Sequence, residues 1–375
     1  MEGLIIDHQM VERNKQFRRD LWDYHPVDHI PIFIWPTWKF GYTQREILEC
    51  GEIQFEVNTK TIEKCLHLIP DDYIPWARIT CGYMTISSMF GLEVHWGDDP
   101  DQPPGLKGHL IHDIEQVYSM RKPQMDAGLM PENISRLRLH NSKLPSDVYL
   151  TGIDAGGPLL TCKDLIDTNL FYSSFYDYPQ ALHHLLNMAT ELQLEMYYAI
   201  VKAAGVIERM TCIDFDPVWA PEKYKSFVSE DVCATISPEF FKEFSIPYNN
   251  RLYKPWGSGL IHSCGPNPCK HIYLDHSPKL KGLNVAFKYS YKDFPAFREI
   301  FAKWGMIQIL LDNELTPEAM LSSFRYTMET FAPDLVGVPI CFVDDTWHDE
   351  DVTELYWEMR RISNEYAANM NWANN

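Results

Sequence analysis

The sequence predicts an α/β fold of the (β/α)8 or TIM-barrel class, in which eight parallel strands alternate with helices. The main observation is a recurring unit, a short apolar run rich in β-forming residues followed by a longer stretch with helical periodicity. The composition agrees, because 45% hydrophobic and 23% charged residues over 375 positions are typical of a globular chain with a sizeable core. No low-complexity linker interrupts the pattern. We therefore expect residues 1–375 to form one domain.

Eight apolar, β-rich runs are the predicted barrel strands. They lie at residues 30–35, 73–79, 148–154, 207–214, 259–264, 282–287, 306–311 and 335–341. A doubly wound open sheet is the structural alternative. The dinucleotide-binding form of that alternative has no support, since no Gly-x-Gly-x-x-Gly follows an early strand.

Helix start and stop signals separate these strands. Residues 1–29 are predicted to form an amphipathic N-terminal helical extension. Helices are predicted to begin at Pro179, Pro238 and Pro317, and Gly205 is the expected end of the first of them. Residues 82–144 contain five prolines and are predicted to be a loop-rich insertion after the second strand.

Charge and cysteine content restrict the class of function. With 33 basic and 52 acidic residues, the net charge of −19 repels a phosphate backbone and argues against nucleic-acid binding. No stretch of 18 uninterrupted apolar residues and no secretory leader is seen, so we expect a cytoplasmic protein that does not enter membranes. Nine scattered cysteines, an odd number, indicate reduced thiols rather than a disulfide framework.

The densest group of metal-ligating residues follows the fifth predicted strand. His262 and Cys264 are two apart, so in a strand their side chains share one face and form half of a zinc site. Cys269 and His271 would complete a local four-ligand knuckle. Cys341, at the end of the last strand, would complete a site across the barrel. The remaining alternative is a hydrogen-bonded core histidine among buried thiols.

Other polar and aromatic residues follow the predicted strands, where a barrel places its active site. Candidate acid/base or orienting carboxylates are Asp154, Asp214, Asp216, Asp312 and Asp344, each of which is alternatively a helix cap or structural partner. Predicted substrate-binding residues are Trp35, Trp38, Tyr42, Asp154, Trp219 and His348. The aromatic members favour an apolar, aromatic or methylammonium-like substrate over a polyanion.

Four motifs in order resemble the uroporphyrinogen decarboxylase superfamily, and its cobamide methyltransferase branch in particular. They are Ile261-His262-Ser263-Cys264-Gly265 with the later Cys341, Gly157-Pro158-Leu159-Leu160, the helix start at residues 236–244, and Leu311-Asp312-Asn313. The resemblance implies a TIM barrel, Zn2+ bound by His262, Cys264 and Cys341, and methyl transfer between a small methylated substrate or thiol and a corrinoid. Asp214 and Asp312 are the predicted catalytic carboxylates. Because no cobalamin-binding Asp-x-His-x-x-Gly is present, the corrinoid is expected on a partner protein.

One departure bears on the substrate. Porphyrinogen decarboxylases carry arginines after the first strand that hold the substrate's carboxylates, whereas residues 31–42 of this chain contain a lone Lys39 and no arginine. Decarboxylation is therefore the secondary hypothesis. A third hypothesis, from another class, is a non-catalytic zinc or tetrapyrrole-binding protein.

Overall fold

The computed structural model describes residues 4–69, 72–312 and 314–372. Its strands are β1 (Phe33–Pro36), β2 (Trp76–Ala77), β3 (Glu93–His95), β4 (Gly105–Lys107), β5 (Tyr149–Leu150), β6 (Ser226–Ser229), β7 (Gly259–Ser263), β8 (Gly282–Ala286), β9 (Met306–Leu311) and β10 (Val336–Val343). Its first eight helices are α1 (His8–Trp22), α2 (Gln44–Glu49), α3 (Gly51–Leu68), α4 (Thr85–Met89), α5 (Gln116–Ser119), α6 (Met130–Lys143), α7 (Pro158–Leu165) and α8 (Thr168–Asp177). The others are α9 (Pro179–Ala204), α10 (Pro238–Phe244), α11 (Ile246–Tyr253), α12 (Phe287–Ser290), α13 (Phe294–Phe301), α14 (Pro317–Phe331) and α15 (Asp349–Ala367).

A curled parallel sheet of six strands forms the centre of the fold. Its order is β1-β10-β9-β8-β7-β6, and every neighbouring pair is parallel. The strands are buried along almost their whole length, as expected where helices cover a parallel sheet. The predicted parallel α/β architecture is therefore confirmed.

A second parallel sheet, β2 with β5, lies beside the first and makes the arrangement a half-barrel. Residues 211–213 lie between the two sheets and link them. Thr211 N donates to Leu150 O of β5 (2.9 Å), and Ile213 N donates to Lys225 O directly before β6 (2.9 Å). On the other side, no strand pairing joins β1 to β2 among the residues that the structure describes. The described strands thus support a barrel-like sheet and not a fully closed eight-stranded barrel.

The predicted strand at residues 207–214 is wrong. A short 3-10 turn, Ile207–Arg209, occupies its first part, and the rest is an irregular segment with one isolated bridge from Met210 to Leu150. The strand that pairs with β7 is β6, which sequence analysis did not predict.

The helix signals are borne out more closely. Ser237 Oγ accepts a hydrogen bond from Phe240 N at the start of α10, and Thr316 Oγ1 accepts one from Ala319 N at the start of α14. Gly205 adopts a φ of 95° at the end of α9, a left-handed conformation that favours glycine. The helix predicted from Pro238 onwards is interrupted at Ser245 and becomes α10 and α11.

The insertion after β2 contains α4, the antiparallel hairpin β3–β4, α5 and α6. Within the described ranges, no helix is both long and apolar enough to cross a membrane.

Candidate metal centre

Three potential ligands come together at the carboxyl ends of β6 and β7. His262 lies near the end of β7, Cys264 follows that strand, and Asp231 lies two residues beyond β6. The register pairs Ser229 with His262, so the two strands end side by side. One ligand atom from each of Asp231, His262 and Cys264 lies within 4.8 Å of the other two.

The geometry of this group fits a metal ion. Cys264 Sγ lies 2.9 Å from His262 Nε2, and Asp231 Oδ1 lies 3.8 Å from the same nitrogen. Ligand atoms around a tetrahedral zinc are separated by roughly 3.3–3.8 Å, given bond lengths of about 2.0–2.3 Å. The distance from Asp231 to His262 matches this separation, whereas the distance from Cys264 to His262 is that of a hydrogen bond and would lengthen when a metal ion binds. Asp231 Oδ1 also accepts a hydrogen bond from Cys264 N (2.6 Å), which orients the carboxylate. One nitrogen, one sulfur and one oxygen ligand form a donor set that suits Zn2+ and leaves a fourth position for water or substrate.

Two amides on neighbouring strands orient the imidazole. His262 Nδ1 lies 2.6 Å from Asn284 Oδ1, and Asn284 Nδ2 donates to Gln308 Oε1 at 2.5 Å. The three residues are direct register partners across β7, β8 and β9. Since the Asn284 amide nitrogen already donates to Gln308, its oxygen is left to accept the Nδ1 proton. This assignment directs Nε2 toward Cys264 and Asp231, as a metal-binding histidine requires.

The protonation of His262 reflects the same neighbours. Burial lowers the pKa of His262, but the hydrogen bond with Cys264 and the charge of Asp231 outweigh it and raise the pKa to about 10. A metal ion at Nε2 would take the place of that proton.

Asp216 ends the amide network. Its carboxylate accepts hydrogen bonds from Val218 N (3.1 Å) and from the Gln308 side chain, and burial raises its pKa to about 7.

The other predicted metal ligands lie elsewhere. Cys341 Sγ contacts Met359 Sδ of α15 at 3.5 Å, so the thiol points from β10 toward the helical layer. Successive side chains of a strand alternate between its faces, and this position falls on the outer one. Cys269 is buried with its thiol 3.4 Å from Cys233 O, and His271 is exposed. The structure therefore brings neither Cys341 nor the Cys269 and His271 pair to His262 and Cys264.

Asp154 and Asp214 interact electrostatically with each other, and neither is among the three residues of the metal group. Asp214 is fully buried, accepts hydrogen bonds from Tyr197 Oη (2.8 Å) and Phe215 N (2.8 Å), and lies outside the metal group. Asp312 is exposed at the end of β9, and Asn313 lies outside the described residues. Burial raises the pKa of Asp154, whereas the charges of Arg78 and His262 lower it. Asp154 also interacts electrostatically with Asp231, whose charge raises the pKa of Asp154.

The predicted substrate-binding aromatic residues divide into two groups. Trp35 and Trp38 are buried and line a cleft of about 650 Å³, counting its opening to solvent. Tyr42 lies beyond that lining, where its hydroxyl donates to Glu56.

Trp219 does not lie at the mouth of the barrel. It packs in a small cluster with Met10, Ile74 and Tyr149, next to the amino ends of β2 and β5. The segment after Thr211 turns back, with Ala220 N bonded to Thr211 O, and this places Trp219 at the opposite end of the sheet. His348 is exposed at the start of α15, away from the metal group.

Asp231, Asn284 and Arg78 were not predicted from the sequence. Asp231 follows β6, and recognising β6 as the fourth strand would have identified it as a residue at a strand end. Asn284 is an isolated polar residue inside an apolar strand, a pattern that signals a buried hydrogen-bonding role. Arg78 lies directly after β2, within residues 73–79 that were predicted to be a strand.

Comparison with known proteins identifies the family. The family model of uroporphyrinogen decarboxylase (URO-D) matches residues 75–267, slightly more than half of the chain. The chain belongs to the uroporphyrinogen decarboxylase family. None of the curated proteins matches the sequence closely enough to count as a relative.

The fold resembles that of a solved methyltransferase from Methanosarcina mazei, with a TM-score of 0.69 and 18% identity over 93% of this chain and 98% of that one. A B12-independent methionine synthase from Shewanella sp. W3-18-1, in complex with selenomethionine, aligns with a TM-score of 0.44 and 10% identity over 91% of this chain and 96% of that one. The second likeness is too distant to support an inference.

Proposed function

We propose that this chain is a zinc-dependent methyltransferase that moves a methyl group between a small substrate and a corrinoid carried by a partner protein in the cytoplasm. The observation that carries the proposal is the group of Asp231, His262 and Cys264 at the carboxyl ends of two neighbouring strands. Membership of the URO-D family and a fold like that of a methyltransferase support it. We infer the corrinoid from the resemblance of the sequence motifs to the cobamide methyltransferase branch.

The ligand set that we propose differs from the one expected from sequence. Asp231 takes the place of Cys341, because its carboxylate is 3.8 Å from His262 Nε2 whereas the Cys341 thiol contacts Met359. When bound at these residues, zinc would supply Lewis acidity toward a substrate thiol or methoxy oxygen.

The remaining residues have separate tasks. Asn284 and Gln308 hold the imidazole of His262 in the orientation that exposes Nε2. Asp154 interacts electrostatically with Arg78, His262 and Asp231, and its raised pKa suits a carboxyl that holds or releases a proton beside the substrate. We propose this role for Asp154 rather than for Asp214 or Asp312.

Metal analysis of the purified protein tests the ligand set. We expect about one zinc per chain in the wild type and loss of zinc in Asp231→Ala, His262→Ala and Cys264→Ala. Cys341→Ala and Cys269→Ala are matched controls that remove a thiol outside the group, and both should retain zinc. Loss of zinc in Cys341→Ala with retention in Asp231→Ala would contradict the proposed ligands.

The reaction itself is tested with methylcobalamin and a panel of small thiols, followed by the visible spectrum of the corrinoid. Demethylation that requires the zinc-loaded protein supports the proposal. A zinc-loaded protein that releases CO2 from carboxylated substrates and leaves methylcobalamin unchanged would favour the decarboxylase hypothesis.

A further inference from the structure

A cavity lined by tryptophans lies at the carboxyl ends of β1 and β2. Trp35, Trp38 and Trp76 line the cleft of about 650 Å³ described above, together with Arg78 and Lys39. The Trp35 and Trp76 rings meet edge to face with centroids 5.9 Å apart. We call this space the tryptophan cavity.

Arg78 is held rigidly in this cavity by its backbone. Asn58 of α3 accepts a hydrogen bond from Arg78 N (3.1 Å) and donates to Arg78 O (2.9 Å). The guanidinium carbon lies 5.3 Å from the centre of the Trp35 ring. The backbone of Arg78 is therefore anchored to α3, and its guanidinium lies beside Trp35.

The guanidinium of Arg78 nevertheless lacks an acceptor. Its Nε is buried without a hydrogen-bond partner, and no ion pair or side-chain hydrogen bond of the guanidinium is formed with the residues that the structure describes. Trp76 Nε1, in the same lining, is also buried without an acceptor. By contrast, Lys39 is paired with Asp101 at 3.0 Å. Two buried donors without partners beside one cavity are unusual, because most buried polar groups are hydrogen-bonded.

The chemistry of these donors points to an anionic oxygen acceptor. A guanidinium binds a carboxylate through two parallel hydrogen bonds, and this interaction is strongest where water is excluded. Asp154 is the nearest carboxyl that interacts with Arg78, but the two form no ion pair within 4.0 Å. The indole rings around the cavity provide an apolar surface for the rest of a ligand.

We propose that the tryptophan cavity binds a substrate with an apolar or aromatic body and a single carboxylate, which is held by Arg78. Among the described lining residues, Arg78 is the one cation without an acidic partner, so one carboxylate is matched and a polycarboxylate is not. Because the strands of the sheet are parallel, β1 ends at the same edge as β6 and β7, so the end of the substrate opposite the carboxylate points toward Asp231 and His262. This last step rests on the proposed function, whereas the carboxylate site does not.

Isothermal titration calorimetry with benzoate and benzamide tests the site in the wild-type protein without a mutation. The two probes have nearly the same shape and differ in charge. We expect benzoate to bind at least about tenfold more tightly than benzamide, because hydrogen bonds to a charged carboxylate are stronger than those to a neutral amide. Equal binding of the two probes, or no binding of benzoate at millimolar concentration, overturns the proposal.

Variants then locate the carboxylate. Arg78→Gln should remove the preference for benzoate, whereas Lys39→Gln, which removes a paired cation from the same lining, should retain it. The melting temperature of each variant checks folding. Benzoate binding that survives unchanged in Arg78→Gln overturns the proposal.

An experiment on zinc-free protein distinguishes binding at Arg78 from binding at the metal centre. In the Cys264→Ala variant freed of metal, the benzoate preference should persist. Its loss there would place the carboxylate on the metal and overturn the Arg78 site. A wild-type protein that prefers benzoate but holds no zinc would instead refute the proposed function and leave the carboxylate site standing.

Discussion

His262 depends on residues that do not themselves belong to the ligand group. Its Nδ1 faces Asn284, and Asn284 is held by Gln308, so a line of three side chains across β7, β8 and β9 sets the direction of Nε2. In metal sites, such supporting hydrogen bonds fix the tautomer and orientation of the imidazole and raise its basicity. We therefore expect Asn284 and Gln308 to affect zinc binding through the orientation of His262.

Asn284→Ala should weaken zinc binding while leaving all three ligands in place. The substitution removes the acceptor for the His262 Nδ1 proton, and loss of such a partner typically costs about 10- to 100-fold in metal affinity. Competition with a zinc chelator of known affinity measures the change.

The matched control is Asn133→Ala, which removes another fully buried amide, one that donates to Thr85 Oγ1 in the insertion after β2. It should lower stability without changing zinc affinity. Equal zinc affinity in the Asn284→Ala variant and the wild type would show that Asn284 does not position the histidine.

At the scale of elements, two neighbouring strands begin with a glycine at a point where the chains come very close. A Cβ atom at Gly259 would lie 1.6 Å from Ser226 O, and one at Gly282 would lie 1.6 Å from Met306 O. These glycines start β7 and β8, the strands that carry His262 and Asn284. Close approach of the backbones, rather than a left-handed turn, is the reason for glycine at both positions.

Gly282→Ala should therefore separate β8 from β9 and destabilise the fold by about 3 kcal/mol or more, a loss expected only for severe steric or packing defects. Urea unfolding monitored by circular dichroism measures it.

Gly105→Ala is the matched control. Gly105 also begins a strand, β4, but an added Cβ there would meet nothing within 4 Å. Its stability should stay within about 0.5 kcal/mol of the wild type. Similar effects of the two substitutions would contradict the steric explanation.

At the scale of the whole molecule, buried neutral histidines make stability depend on pH. His140 is fully buried, bonds Arg136 O through Nδ1 (2.8 Å) and meets Asn58 Nδ2 at Nε2 (3.0 Å). Burial lowers its pKa to about 4, against 6.5 for an unperturbed histidine. Between these values the unfolded chain binds a proton that the folded chain does not. The contribution of His140 is therefore complete above pH 6.5 and is lost as the pH falls toward 4.

His140→Gln should flatten the acid side of the stability profile. A glutamine can donate to Arg136 O and accept from Asn58 Nδ2, and it does not titrate. Between pH 6.5 and 4, the free energy of unfolding of the wild type should fall more steeply than that of the variant, by up to about 1.4 kcal/mol per pH unit. Denaturant unfolding at pH 7, 5.5 and 4.5 gives both slopes. Parallel slopes would mean that His140 is not neutral in the folded protein.

The sequence by itself determined the parallel α/β class, most of the central strands and two of the three residues of the candidate metal group. Strands such as β9, predicted at residues 306–311 and observed there, are continuous apolar runs whose burial on both faces is visible in the residues alone. His262 and Cys264 were found because two residues of separation is a local relation that strand geometry converts directly into proximity.

Only the tertiary structure decided the third ligand, the fourth strand and the cavity. Met210, Cys212 and Ile213 are buried like strand residues but pair with few strand partners. The strand β6 directly follows Lys225, and a lysine at this position does not indicate a buried strand in the sequence. Lys225 is tolerated because its ammonium donates to Met210 O and Thr211 O. The exclusion of Cys341 depends on which face of β10 its side chain occupies, and the positions of Asp231 and Arg78 depend on where β6 and β2 end. Both are set by pairing between distant segments, and no local pattern in the sequence records them.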